Sequence, residues 1–177
     1  MRTIRTGLLF TAAALLAGSA RAGEGMDCPM HSAHHTGVEA RGDAAMGFDH
    51  AKTTHHFLLT KSGGVIRVEA NDSADRESRD QIRMHLTHIA KLFSEGKFQI
   101  PMFVHEQVPP GVPTLEKRRE LIRYEFGKLA KGAEVRIETK DEEALSALHE
   151  FLRFQIRDHE TGDPLEVPES RSPGEGS

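Results

Sequence analysis

The sequence predicts an α+β fold, a two-layer sandwich in which two main helices cover one face of a four-stranded antiparallel sheet. Two alternating runs, at 65–69 and 134–138, each follow a strand-like run and a turn, as the second strand of a hairpin does. A long amphipathic segment follows each hairpin. The strand-strand-helix order therefore occurs twice, as a pseudo-repeat, and one shared sheet would bury both apolar helix stripes.

The first unit begins with a strand over 55–60 and turns through Gly63 and Gly64, which tolerate positive φ. After the return strand, Asn71, Asp72 and Ser73 offer N-caps for a helix over about 75–95. That helix carries apolar residues at spacings of three and four, namely Ile82, Leu86, Ile89 and Phe93.

The second unit repeats this order, with strands over 121–126 and 134–138 and a helix over about 141–159. Its apolar stripe is Leu145, Leu148, Leu152 and Ile156. In this alignment, His149 takes the place that His85 has in the first helix. The connector 98–113 holds four prolines, which predict no helix interior there, and a short helix follows over 114–120.

The N-terminus has the pattern of an export signal. Arg2 and Arg5 precede an apolar run over 7–17, and Ala20 and Ala22 fit the small-x-small cleavage pattern. The run is too short to remain as a stable membrane span. We therefore expect a signal peptide over 1–22, a periplasmic or secreted mature chain, a disordered His/Met-rich tail over 23–45, one α+β domain over 46–167, and a second disordered tail over 168–177.

Composition narrows the function classes. The net charge of −4, which becomes −7 once the three leader arginines are removed, argues against nucleic acid as a partner. A single cysteine excludes an intramolecular disulfide. Eleven histidines and six methionines, with no tryptophan, point instead to metal chemistry.

The predicted N-terminal tail is dense in metal-binding side chains. Thiolate and thioether groups suit Cu(I), and imidazole suits Cu(II), Zn or Ni. The candidate tail ligands are Cys28, Met30, His31, His34 and His35. The run at 28–31 resembles the Cys-Pro-Met-His signature of heavy-metal-binding segments in copper-efflux proteins, although Ser32 replaces the proline that usually follows. A polar tail that is His-rich by drift is the alternative.

Histidines of the folded region form a second candidate metal site. His85 and His88 are three residues apart and share a helix face. Consecutive strand residues point to opposite faces, so only one of His55 and His56 faces the helices. With His149 on the other helix, three or four imidazoles would suit Zn or Cu(II). The alternative is that each buried histidine bonds a backbone carbonyl and binds no metal.

Two weaker patterns also pair methionine with histidine. The runs 46–50 and 102–105 each place a methionine within three or four residues of a histidine, a copper-like pair. For Met102, the role of flexible core filler is favoured. His159 ends the second helix, where the helix dipole favours a cation without any ligand role.

The stretches 52–57, 80–90, 109–113 and 151–156 resemble a group of small exported His-rich bacterial proteins of unsettled function. Some members carry the label aspartate carbamoyltransferase. That enzyme is far larger and uses a Ser-Thr-Arg-Thr-Arg phosphate-binding loop, which this sequence lacks, so the label does not carry over. The sequence also lacks a nucleophile elbow, a phosphate loop and a His-Glu-x-x-His helix.

The sequence therefore predicts a periplasmic metal-binding protein that sequesters or delivers a copper ion (or zinc) without covalent chemistry. A metal-efflux or metal-delivery protein is the expected partner. One alternative is a metal-dependent enzyme that leaves a coordination position of its His cluster open. The other is a structural or interaction domain that binds no metal.

Overall fold

The structure is a computed structural model that describes residues 29–169, with side chains from Thr36 onward. The predicted signal peptide and the C-terminal residues 170–177 lie outside the described residues. The elements in chain order are α1 (Pro29–Met46), β1 (Thr53–Thr60), β2 (Gly63–Ala70), α2 (Arg76–Ser94), α3 (Gln99–His105), α4 (Val112–Lys117), β3 (Ile122–Lys128), β4 (Gly132–Thr139) and α5 (Glu142–Asp158).

The four strands form one antiparallel sheet in the order β1-β2-β4-β3. The predicted α+β sandwich is thus confirmed, with each hairpin on one half of the sheet. The central strands β2 and β4 pair with each other, and Ile66 lies opposite Val135 near the middle of that pairing. Both residues are buried, because the helices cover this face of the sheet.

The two main helices begin at aspartate N-caps. Asp75 accepts a hydrogen bond from the backbone N–H of Ser78 at 2.9 Å, and Asp141 accepts one from Ala144 at 2.8 Å. The helix α2 packs mainly on β3 and β4, whereas α5 packs on β1 and β2. Each helix therefore covers the hairpin of the other repeat unit, which ties the two units into one core.

The glycines that begin β2 and β4 hold equivalent places in the two units. A Cβ on Gly63 would lie 1.8 Å from the carbonyl oxygen of Ile137, and one on Gly132 would lie 2.0 Å from that of Val68. These approaches leave no room for a side chain. The matching contacts show that the pseudo-repeat extends to the backbone of the central strands.

The connector between the repeat units differs from the prediction, because it contains the helix α3. Pro101 is the third residue of α3, and Pro113 is the second residue of α4. Backbone N–H groups in a first helical turn have no intrahelical partner, so proline costs little there. The prolines mark the starts of these helices rather than an irregular loop.

The helix α1 also differs from the expectation of a disordered tail over 23–45. Val38 is fully buried, and Arg41 Nε donates to the carbonyl of Val104 at 2.7 Å. The helix packs against α3 through these contacts instead of through a continuous apolar stripe, so periodicity did not reveal it. No described helix combines the length and apolar character that a membrane span needs.

Candidate functional site

The chain that follows α1 brings two carboxylates and an imidazole together. One ligand atom from each of Asp43, Asp49 and His50 lies within 4.8 Å of the others. In the part of the chain that the structure describes, no other group of three His, Cys, Asp or Glu residues meets this distance. We call this group the outer cluster. Its oxygen and imidazole ligands suit Zn or Cu(II).

Hydrogen bonds hold the outer cluster in shape. The backbone N–H of His50 donates to Asp43 Oδ1 at 2.8 Å, and His50 Nδ1 lies 3.0 Å from Asp43 Oδ2. Asp49 caps the short 3₁₀ turn His50–Lys52 by accepting from the N–H of Ala51 at 2.8 Å. On the far side of the ring, His50 Nε2 lies 3.3 Å from Glu39 Oε1.

The carboxylates around His50 favour a positive charge at this point. Partial burial lowers the pKa of the imidazole, but the hydrogen bond and the charge of Asp43, aided by Glu39 and Asp49, outweigh it and raise the pKa above its usual value. A cation other than a proton would gain the same attraction. Protons therefore compete with a metal ion for His50, and acid conditions disfavour metal binding.

Two cavities meet beside the outer cluster. An outer cleft of about 280 Å³ runs between α1 and the end of α5, past Glu39 and His50. An inner cavity of about 80 Å³ lies between the helices and the sheet, and His85 and His105 line it. The two spaces share four lining residues, Gly42, Met46, His55 and His159.

His55 stands at the junction of the two cavities. Its Nε2 lies 3.2 Å from the sulfur of Met46. Its ring lies near those of Phe48 and His159, at centroid distances of 6.1 and 6.2 Å and nearly parallel to both. The Phe48 ring also meets His85 edge-on at 5.7 Å. Histidines from β1, from α2 and from the end of α5 thus line one cavity together with the Met46 thioether.

Burial keeps His55 and His85 mainly neutral at physiological pH, because it lowers the pKa of both imidazoles. Burial lowers the pKa of His55 to about 4, and repulsion from His85 adds to this effect. Burial also lowers the pKa of His85 to about 4, with a further contribution from His88. A neutral imidazole keeps a free lone pair, which is the form that binds a metal ion.

His105 forms a buried polar group in the wall of the inner cavity. Its Nδ1 makes a short contact with Asp158, and its Nε2 lies 3.0 Å from Gln155 Oε1. Both ring nitrogens therefore have polar partners, the carboxylate of Asp158 and the side-chain amide of Gln155. With both nitrogens engaged in this way, His105 is a structural part of the cavity wall.

The structure places His149 away from the cavities, which corrects its predicted place in the inner site. Its Nε2 lies 3.0 Å from the carbonyl oxygens of both Thr60 and Gly63, at the turn between β1 and β2. It is the eighth residue after the N-cap of α5, and the eighth residue after the N-cap of α2 is Arg83. His149 therefore does not correspond to His85 in the repeat.

Arg83 supports the other hairpin in the same way. Its Nε donates to the carbonyl of Gly132 at 3.2 Å, and its Nη2 donates to that of Leu129 at 2.6 Å. Each main helix thus bonds the turn of the hairpin that it covers. His149 thus bonds the carbonyls of the β1–β2 turn as Arg83 bonds those of the β3–β4 turn, which is a structural role.

The remaining candidates separate in space. His55 is the member of the β1 pair that lines the cavities, whereas His56 Nδ1 lies 2.8 Å from Asp163 Oδ1. His88 is exposed, so of the His85 and His88 pair only His85 lines a cavity. Cys28 lies outside the described residues. Met30, His31, His34 and His35 fall within α1, but their side chains are not among those described.

Sequence reasoning missed much of this site. Asp43, Asp49 and Gln155 did not stand out, His105 was noted only for its weak pairing with Met102, and His159 was assigned only a dipole role. The run 46–50 did carry a signal, the copper-like pairing of Met46 with His50, but Met46 contacts His55 instead. Comparison of the chain with protein-family models, curated proteins and solved structures gives no match.

Proposed function

We propose that this protein is an exported metal-binding protein that takes up a copper ion at the outer cluster and sequesters or delivers it. The observation that carries the proposal is the convergence of Asp43, Asp49 and His50, the last of which lines a cleft together with further imidazoles. A site with ligands of both oxygen and nitrogen suits Cu(II), with Zn as the competing ion.

The ligand types around the cleft favour copper over zinc. Met46 places a thioether within 3.2 Å of His55 Nε2 between the outer cleft and the inner cavity, and thioethers prefer copper. In the predicted tail, Cys28 and Met30 add two more sulfur ligands. The proposed protein therefore has soft sulfur ligands in its N-terminal tail, and oxygen, nitrogen and sulfur ligands around its cleft.

The helix α1 offers a physical connection between tail and cleft. His31, His35, Glu39 and Asp43 occur along it at intervals of four residues, so each position lies one turn from the next. An ion captured by the tail would meet a carboxylate or imidazole position at each turn toward the outer cluster. This arrangement supports capture followed by transfer, and a metal-efflux or delivery protein is the partner class it would serve.

Calorimetric titration with Cu(II) and Zn(II) tests the proposal. A tail variant (C28S, M30L, H31A, H34A and H35A) removes the tail ligands. A cleft variant (D43N and H50Q) removes outer-cluster ligands, while the amide that replaces the Asp43 carboxylate keeps an oxygen that can accept from the N–H of residue 50. We expect the tail variant to bind one Cu(II) more tightly than micromolar, and the combined variant to lose that binding.

The exposed His88 provides the matched control, since H88Q removes an imidazole outside both cavities. It should leave the affinity of the tail variant unchanged. Absence of Cu(II) binding tighter than micromolar in the full chain would refute the proposal. Equal affinity of the tail variant with and without the D43N and H50Q changes would refute the site.

A further inference from the structure

The pseudo-repeat reveals an unusual substitution pattern in the core. The third residue of β1 is His55, and the third residue of β3 is Tyr124. Ten residues after the aspartate N-caps lie His85 in α2 and Phe151 in α5. Eighteen residues after them lie Phe93 and His159. Each of these three positions carries an aromatic residue in one repeat unit and a histidine in the other.

We call Phe93, Tyr124 and Phe151 the aromatic set and His55, His85 and His159 the histidine set. The rings of the aromatic set pack around Phe93 in the core. Phe93 and Phe151 are almost fully buried, their ring centroids are 6.0 Å apart, and Phe93 meets Tyr124 at 6.1 Å. The fold therefore accepts rings of this size at all three positions. A histidine at one of these positions buries less apolar surface than the aromatic residue at the corresponding position of the other repeat unit. Such a loss is expected where the imidazoles serve a ligand.

The space beside the three histidines is large enough for an ion. Its volume of about 80 Å³ exceeds the roughly 10–15 Å³ that one water needs.

The lining also sets the charge of the occupant. Within the described part of the chain, no Asp, Glu, Lys or Arg side chain lines the inner cavity, so a divalent ion would lack compensating charge. The lining contains the thioether of Met46 and the imidazoles of His55, His85 and His159. A soft set of nitrogen and sulfur with no anion suits a monovalent ion such as Cu(I).

The spacing of Met46 and His55 fits two ligands of one ion. Metal–nitrogen and metal–sulfur bonds of about 2.0 and 2.3 Å, joined to atoms 3.2 Å apart, enclose an angle of about 95°. Both atoms are thus near enough to bind one ion, at an angle somewhat below the tetrahedral value of about 109°. The nitrogens of His55, His85 and His159 do not lie within 4.8 Å of one another as a group, so a third ligand would require rotation of the His85 or His159 side chain.

We propose that Met46, His55, His85 and His159 form an inner site for a monovalent soft metal ion, Cu(I), separate from the outer cluster. The proposal rests on the proposed function only in that Cu(I) reaches the inner site through the outer cleft, which shares four lining residues with the inner cavity. No electron transfer is part of it, since the site selects an ion that is already monovalent.

Titration of the tail variant with Ag(I), a redox-inert monovalent probe, tests the inner site. Carbon-13 labelling of methionine methyl groups reports on Met46 directly. We expect one Ag(I) per chain and a shift of the Met46 methyl signal. The triple variant H55Y, H85F and H159F, which installs the residues of the other repeat unit, should fold, as urea unfolding will check, and lose this Ag(I) site.

Met46→Leu keeps the apolar volume and provides the second variant, in which Ag(I) affinity should fall about tenfold or more. Unchanged Ag(I) binding in either variant overturns the inner site. Loss of Ag(I) binding in the cleft variant also overturns it, because the ion would then occupy the outer cluster. If the tail variant binds Ag(I) but no Cu(II), the proposed function fails instead.

Discussion

Removal of the His149 imidazole tests whether this residue is structural. In His149→Ala, the carbonyls of Thr60 and Gly63 lose an N–H that lies 3.0 Å from each oxygen. A single hydrogen bond contributes about 0.5–1.5 kcal/mol. The imidazole bridges two part-buried carbonyls, so we expect a loss of about 1–2 kcal/mol.

Urea unfolding at neutral pH measures this loss, and thermal unfolding should show a fall of about 2–8 °C for a chain of this size. His88→Ala is the matched control, since it makes the same change at an exposed helix position and gains the same helix propensity. The free energy of unfolding should fall only for His149→Ala. A drop in Cu(II) affinity of His149→Ala beyond that of His88→Ala would refute the structural role.

Three further predictions concern stability. Gly63→Ala and Gly132→Ala should each lower the free energy of unfolding by about 3 kcal/mol or more, because the new Cβ would overlap a backbone oxygen, and urea midpoints that match the parent would contradict this. The metal-free protein should lose stability as pH falls from 6.5 to about 4. In this pH range the histidines of the unfolded chain bind protons, whereas His55 and His85 of the folded protein do not. In unfolding experiments at a series of pH values, a variant with H55Y and H85F should lose much of this pH dependence. Glu134→Gln should lower the free energy of unfolding at pH 7, because burial of this carboxyl is outweighed by two arginine partners, which hold its pKa below the usual range. The difference in stability between variant and parent should vanish as pH falls through the lowered pKa, and a difference that persists at about pH 2 would contradict the prediction.

The strands and main helices were predictable because their signals are local. Alternation within 65–69 and 134–138 reflects strands that bury one face, and N-cap aspartates and apolar spacing fix the starts and faces of α2 and α5. The helix α1 was not predictable in this way, because the side chains that anchor it, among them Val38 and Arg41, do not form a periodic apolar stripe.

The candidate site was only partly predictable, because it depends on which turn meets which helix. Chain order alone suggested that His85 and His149 correspond, but counting from the N-caps pairs His149 with Arg83. The convergence of Asp43 with His50 depends on the direction of the chain after α1. His159 approaches His55 because α5 crosses the first hairpin, a crossing that hydrophobic patterns do not specify.

Paramagnetic broadening by Cu(II) in the nitrogen-15 NMR spectrum of the tail variant tests the central claim most directly. Substoichiometric Cu(II) should erase the signals of 39–50 first, because Asp43, Asp49 and His50 would hold the ion, while those around His88 persist. Uniform weak broadening, or early loss around His88, would show that the ion has no defined place in the cleft and would contradict the account.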